Sequence, residues 1–232
     1  MRWKNRKKHI TSFQIISLGF MGVILLGSFL LTLPMATQNG EGAPFGDALF
    51  TATSAVCVTG LIIYDTASYW SVFGQGVILM LIQIGGMGVV TVAVAIATIS
   101  GRKIGLMQRS VMQEAISAHQ VGGIVRMTKF ILKTSILIEV IGAALLSTVF
   151  CRDFGLKKGI WYGVFHSISA FCNAGFDLLG VREPFSSLTS YSIQPIVNLT
   201  IMSLIIIGGI GFLTWADIQK NKWHFKKYRM QS

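Results

Sequence analysis

The chain has 232 residues, 52% of them apolar and only 12% charged, with a formal net charge of +11. A soluble domain carries about twice that charged fraction, so the composition excludes an ordinary globular class and points to a membrane protein. Cys57, Cys151 and Cys172 are odd in number and scattered, which excludes a disulfide framework, and no metal-ligand spacing joins them to the histidines.

The first predicted element is a transmembrane helix over residues 10–33, preceded by Arg2, Lys4, Arg6, Lys7 and Lys8. A bilayer core of about 30 Å takes about 20 apolar residues in a helix. This run is longer than a signal-peptide core and no small-residue cleavage site follows it. An outer segment, 35–70, contains an apolar stretch at 44–56 too short to span, which makes it a re-entrant candidate. A second span is predicted over 71–99 and a third over 127–150. The outer segment 151–191 has its own short apolar stretch at 158–171, and the fourth predicted span is 192–218. Irregular backbone at membrane depth must be buried in protein or line a water-filled cavity.

The basic residues bracket these spans. No Lys or Arg occurs between Thr11 and Gly101, and sixteen of the twenty lie in the N-terminal tail, around the 101–126 loop or in the C-terminal tail. The positive-inside rule therefore predicts a multi-pass plasma-membrane protein with both termini cytoplasmic. A nucleic-acid binder would spread such charge over a folded face, so nucleic acid is not an expected partner. The charge of the 101–126 loop suits either a cytosolic partner or anionic lipid head groups.

The two halves align. Phe50-Thr-Ala-Thr-Ser-Ala-Val-Cys-Val-Thr-Gly-Leu61 lies against Phe165-His-Ser-Ile-Ser-Ala-Phe-Cys-Asn-Ala-Gly-Phe176, and Ile84-Gly-Gly-Met-Gly88 against Ile207-Gly-Gly-Ile-Gly211. Matched motifs in matched order predict a parallel repeat about an axis along the membrane normal. The expected fold is an all-α membrane protein of two parallel helix–pore loop–helix repeats, with four transmembrane helices and two re-entrant pore helices. The predicted organisation is a first repeat over 1–100 with its basic tail, a cytoplasmic linker at 101–126, a second repeat over 127–218 and a basic tail at 219–232.

The repeated loop suits cation conduction. A potassium ion enters a pore where backbone carbonyls replace its hydration shell. Glycine lets the loop adopt the required backbone, and the C-terminal end of a pore helix at Ala55 or Ala170 favours cations. Cys57, Val58, Thr59 and Gly60, with Cys172, Asn173, Ala174 and Gly175, are the candidate filter residues, and none is basic. For either loop alone, an ordinary helix-ending glycine explains the pattern; its recurrence in equivalent positions favours a filter.

The run Ser54-Ala-Val-Cys-Val-Thr-Gly-Leu61, with Tyr64-Asp-Thr-Ala67 and Leu81-Ile-Gln-Ile-Gly-Gly-Met-Gly88, resembles the first repeat of the Ktr/Trk/HKT potassium transporter family, nearest to its KtrB type. Residues 165–176 and 206–211 resemble the second repeat. The resemblance implies four such repeats around one pore, filter glycines at Gly60 and Gly175, transport of potassium and, as in several members, dependence on sodium. It also implies a cytosolic nucleotide-binding regulatory subunit. No cofactor and no enzymatic activity are expected, and no metal beyond transported monovalent cations. Two repeats imply either a front half whose C-terminal repeats are missing, the favoured reading, or a homo-oligomer that completes the four. A non-conducting membrane subunit that assembles with a longer channel is the alternative function. An enzyme using the loop cysteines lacks a base or metal site.

Other residues have plainer expected roles. Glu139, near the middle of the third span, is expected to bond a neighbouring helix or Lys133 rather than relay cations. Gln83 is expected to bond between helices, the paired glycines 85–86 and 208–209 to permit close packing, and His166 to be packed and hydrogen-bonded. Asp47, Asp65 and Asp177 are candidates for drawing cations to the outer mouth, Asp47 equally for capping or charging the start of the first pore helix.

Overall fold

A computed structural model describes residues 11–99, 111, 124–181, 183–212 and 214–215. The basic tails, most of the 101–126 linker, Arg182 and the end of the predicted fourth span lie outside the described residues. All regular elements among those described are helical; the pair Thr37–Trp70 forms a single isolated bridge.

Helix α1, Ser12–Leu31, opens on a capping box in which Thr11 Oγ1 accepts from Gln14 N and Gln14 Oε1 accepts from Thr11 N. Its 20 residues rise about 30 Å, the thickness of a bilayer core. Helix α2, Phe45–Val56, follows Pro44 and occupies the short stretch predicted at 44–56. A single turn, α3, Thr66–Tyr69, is capped by Asp65, and α4, Val72–Met87, by Ser71. Then comes α5, Val89–Ile99. In the second half, α6 is Ile124–Phe154, α7 is Leu156–Phe171 and α8 is Pro195–Ile210.

Two predicted spans are interrupted by a glycine within their apolar runs. The run at 71–99 is two helices bent by 97°, because Gly88 takes φ 82° and its N–H turns back to Gly85 O. Only glycine enters that backbone region without strain. The run at 192–218 begins as a helix at Pro195, where the missing N–H is harmless, and is interrupted at Gly211 with φ 89°, beyond which 212 and 214–215 are again helical. The third span instead gains residues at both ends, reaching 124 and 154. Its first turn is basic and its last contains Arg152, which an apolar-run reading trims away.

Packing follows the small residues. Helices α6 and α7 join through Gly155, φ 79°, and run back against each other with Gly159 on the Cys151 backbone, Gly163 on Ser147 and Gly142 on Ser167. A Cβ at Gly142, Gly159 or Gly163 would collide with the facing helix, so the pair approaches more closely than larger residues allow. In the first half α2 packs on α1 and α4; in the second α7 packs on α6 and α8; α4 joins α7 across the halves. Trp70, Phe150, Phe165, Ile78 and Ile82 fill the core, while Leu26, Phe29, Val140, Leu199 and Ile206 stand exposed on the outside of their helices. Helices apolar on their outer faces as well as inward suit a hydrocarbon solvent.

Candidate functional site

Both short helices end in the same way. At α2, Val58 N bonds Ala55 O and Thr59 N bonds Ser54 O; at α7, Asn173 N bonds Ala170 O and Ala174 N bonds Ser169 O. This is the Schellman pattern, whose first residue past the cap is left-handed and is usually glycine. Here that residue is Val58, φ 56°, and Asn173, φ 59°. A β-branched residue in this region costs of order 1 kcal/mol or more, and such strain collects at functional sites. Gly60, φ 74°, and Gly175, φ 77°, lie two residues further on and turn the chain a second time. The helices end at Val56 and Phe171, one residue beyond the expected Ala55 and Ala170.

The loops meet. A Cβ built on Gly60 would lie 2.6 Å from Ala174 O and 3.4 Å from Gly175 Cα, whereas one on Gly175 would find its nearest neighbour, Gly60 Cα, at 3.5 Å. The two glycine turns therefore touch backbone to backbone. Cys57, Thr59, Asn173 and Gly175 are exposed, Val58 and Gly60 half-buried, and Cys172 and Ala174 buried. Among the described residues no cluster of His, Cys, Asp or Glu could hold a metal ion.

Different side chains support the two loops. Thr59 Oγ1 donates to Ser54, while Ser169 Oγ donates to Phe176 O at 2.6 Å. His166 is buried as expected. Its Nε2 accepts from Leu178 N, which leaves Nδ1 to donate to Tyr162 O at 2.7 Å. Gly85 presses on Val56 O and Gly208 on Phe171 O, so the paired glycines do serve close packing, against the last turn of each short helix.

The three aspartates have structural partners. Asp47 accepts from Tyr64 Oη at 2.6 Å, a bond that pushes the Tyr64 phenol up to about 12. Asp177 Oδ1 accepts from Leu179 N. Asp65 is buried; Oδ1 takes Ala67 N, Ser68 N and Ser68 Oγ, and Oδ2 takes Phe185 N from the other half. Asp65→Ala is expected to lower the thermal midpoint in detergent, each buried donor left unpaired costing about 1–3 kcal/mol. Asp65→Asn, which loses only the Phe185 bond, is expected to show a smaller drop.

Three more contacts cross the halves. Trp161 Nε1 donates to Gln75 Oε1, Gln83 Nε2 to Glu139 Oε1, each at 2.8 Å, and Gly86 packs against Cys172. Glu139 thus bonds the neighbouring helix α4, as one of its two expected partners required, while Lys133 points outward, exposed. Nothing in the sequence pattern paired Gln75 with Trp161 or Asp65 with Phe185.

Apolar outer faces, helices of membrane-spanning length and paired Gly-ended turns define a helical membrane protein. The family model described as TrkH, cation transport protein, matches residues 2–231, and the chain belongs to that family of transporters, which are not enzymes. It is 44% identical over 215 residues to the potassium/sodium uptake protein NtpJ of Enterococcus hirae, covering 93% of this chain and 47% of that protein. It is 43% identical over 219 residues to Ktr system potassium uptake protein B of Bacillus subtilis, covering 94% and 47%. For the protein of the same name from Vibrio alginolyticus the identity is 36% over 214 residues, covering 92% and 45%. The chain spans about half the length of these curated relatives.

Proposed function

We propose that this chain supplies two of the filter loops of a potassium-conducting pore. The abutting glycine turns, each preceded by the same strained helix ending, carry this reading. In it, Cys57, Val58, Thr59 and Gly60 and their counterparts Cys172, Asn173, Ala174 and Gly175 present carbonyls to a dehydrated cation. Helices α2 and α7 enter the membrane and return as pore helices; α1, α4, α6 and α8 cross it, giving two parallel repeats with boundaries near 1–100 and 127–218. The relatives' names, potassium/sodium uptake protein and potassium uptake protein B, support potassium as cargo, with sodium as a further candidate ion. Two further repeats, from adjoining sequence or a second copy, complete the ring. The basic tails and linker face the cytoplasm across the plasma membrane, where a nucleotide-binding regulatory subunit docks.

Rubidium uptake into vesicles tests this. The purified chain, alone or supplemented with the remaining repeats of a longer family member, is expected to give saturable uptake that Gly60→Asp abolishes. No uptake in either arrangement would overturn the reading.

A further inference from the structure

We infer that Glu139 and Gln83 are positioning residues that set the second filter loop from behind, through Cys172; the inference rests on the filter reading of that loop. Gln83 lies on α4, in the first half, and its amide is used at both ends. Nε2 donates to Glu139 Oε1 at 2.8 Å, and Oε1 accepts from Cys172 Sγ at 3.9 Å, a long, weak bond to sulfur. Cys172 is the cap of α7 and the first residue of the second loop. Its side chain is also pinned by Gly86, where a Cβ would come within 2.5 Å of the sulfur.

Glu139 is itself held. It is 6% exposed, and its backbone carbonyl accepts from Ser167 Oγ at 2.7 Å, five residues before Cys172 on α7. A Cβ on Gly142 would collide with that same hydroxyl at 2.5 Å, so α6 and α7 approach each other closely here. The carboxyl group thus stands on a closely packed, hydrogen-bonded helix pair and reaches across to α4, and the Gln83 amide reaches back to the loop. A buried polar bridge is strongly directional, because an unpaired end is costly in a low-dielectric surrounding.

Among the described residues the first loop has no such bridge. In the matched motifs Gln83 corresponds to Ile206, which is exposed, and Cys172 corresponds to Cys57, also exposed. Among the described residues, side-chain hydrogen bonds tie the second loop, and not the first, to the other half of the molecule. A change in the seat of α4 relative to α6 is therefore transmitted to Cys172 and Asn173, while Cys57 is not linked to it by these bonds.

The test reads the position of Cys172 without needing flux. Alkylation of the full chain in lipid by a membrane-permeant maleimide, followed by peptide mass spectrometry, is expected to be slow at Cys172 in the native protein. It is expected to be about tenfold faster in Glu139→Leu and Gln83→Leu, because thiol reactivity follows exposure. Glu139→Gln, and the exchange Gln83→Glu with Glu139→Gln, retain a bridge and should keep the slow rate. In the flux assay the two leucine variants should lower rubidium-over-sodium preference about tenfold, and the exchange should restore it. Slow labelling in both leucine variants would overturn the inference, as would failure of the exchange to rescue. If labelling follows expectation while no variant or native protein conducts, the bridge stands and the pore reading fails.

Discussion

Gly60→Ser is expected to abolish selective potassium flux, while Gly175→Ser retains conduction with reduced preference for potassium over sodium. Sequence alone treats the two glycines as equivalent, and both have left-handed backbones, so each substitution bears a conformational cost of about 1–2 kcal/mol. The surroundings separate them. At Gly60 a Cβ would sit 2.6 Å from Ala174 O, against backbone that cannot rotate away. At Gly175 its nearest neighbour would be 3.5 Å off, an ordinary contact. The serine at 60 therefore displaces a carbonyl of the opposite loop as well as straining its own. Side-by-side rubidium and sodium uptake in the two variants checks this, and equal effects would show that only local backbone strain counts. Gly60→Ala should behave as Gly60→Ser, because the clash begins at Cβ.

Gly85→Ala and Gly208→Ala are expected to destabilise the protein by about 1–3 kcal/mol each, the usual cost of overpacking. A methyl group at either place is driven into the carbonyl oxygen ending a short helix, Val56 at one and Phe171 at the other. The helix must retreat, and the loop beyond it retreats with it, so conduction should fall together with stability. Gly76→Ala supplies the comparison. It lies on the same helix as Gly85 with nothing within 4 Å of the added carbon. There alanine should leave the midpoint unchanged or raise it, since glycine in a helix interior costs about 1 kcal/mol relative to alanine. Thermal unfolding in detergent, read by tryptophan fluorescence, orders the three variants.

Much of the helical plan was legible because hydrocarbon-length apolar runs have few other solutions. The short helices at 45–56 and 156–171 fell where short apolar stretches predicted them. The breaks at Gly88 and Gly211 were not legible, because glycine inside an apolar run reads equally as a packing contact or as a sharp bend, and composition cannot separate the two. Gly85 turned out to be the first and Gly88 the second. Within the candidate filter, the glycines stood out by their repetition. The left-handed Val58 did not, since nothing about valine predicts that conformation. The equivalent Asn173 was the available hint, asparagine being among the residues that tolerate it. Gln83 was read as bonding between helices and Glu139 as bonding a neighbouring helix or Lys133; that these two residues, 56 apart in sequence, bridge to one another required the folded positions of α4 and α6.

The different fastenings behind two equal backbones bear on how such a chain could have arisen and diverged. If one ancestral unit was copied, the main-chain hydrogen bonds at Ser54–Thr59 and Ser169–Ala174 are what both copies kept. The side-chain ties, Thr59 to Ser54 in one and Ser169 to Phe176 in the other, are where they specialised. A tandem of two first halves would thus inherit the ancestral loop geometry. It would lack the complementary surfaces, Trp161 for Gln75 and Glu139 for Gln83, that make two modules into one body. Each half has become the other's mould.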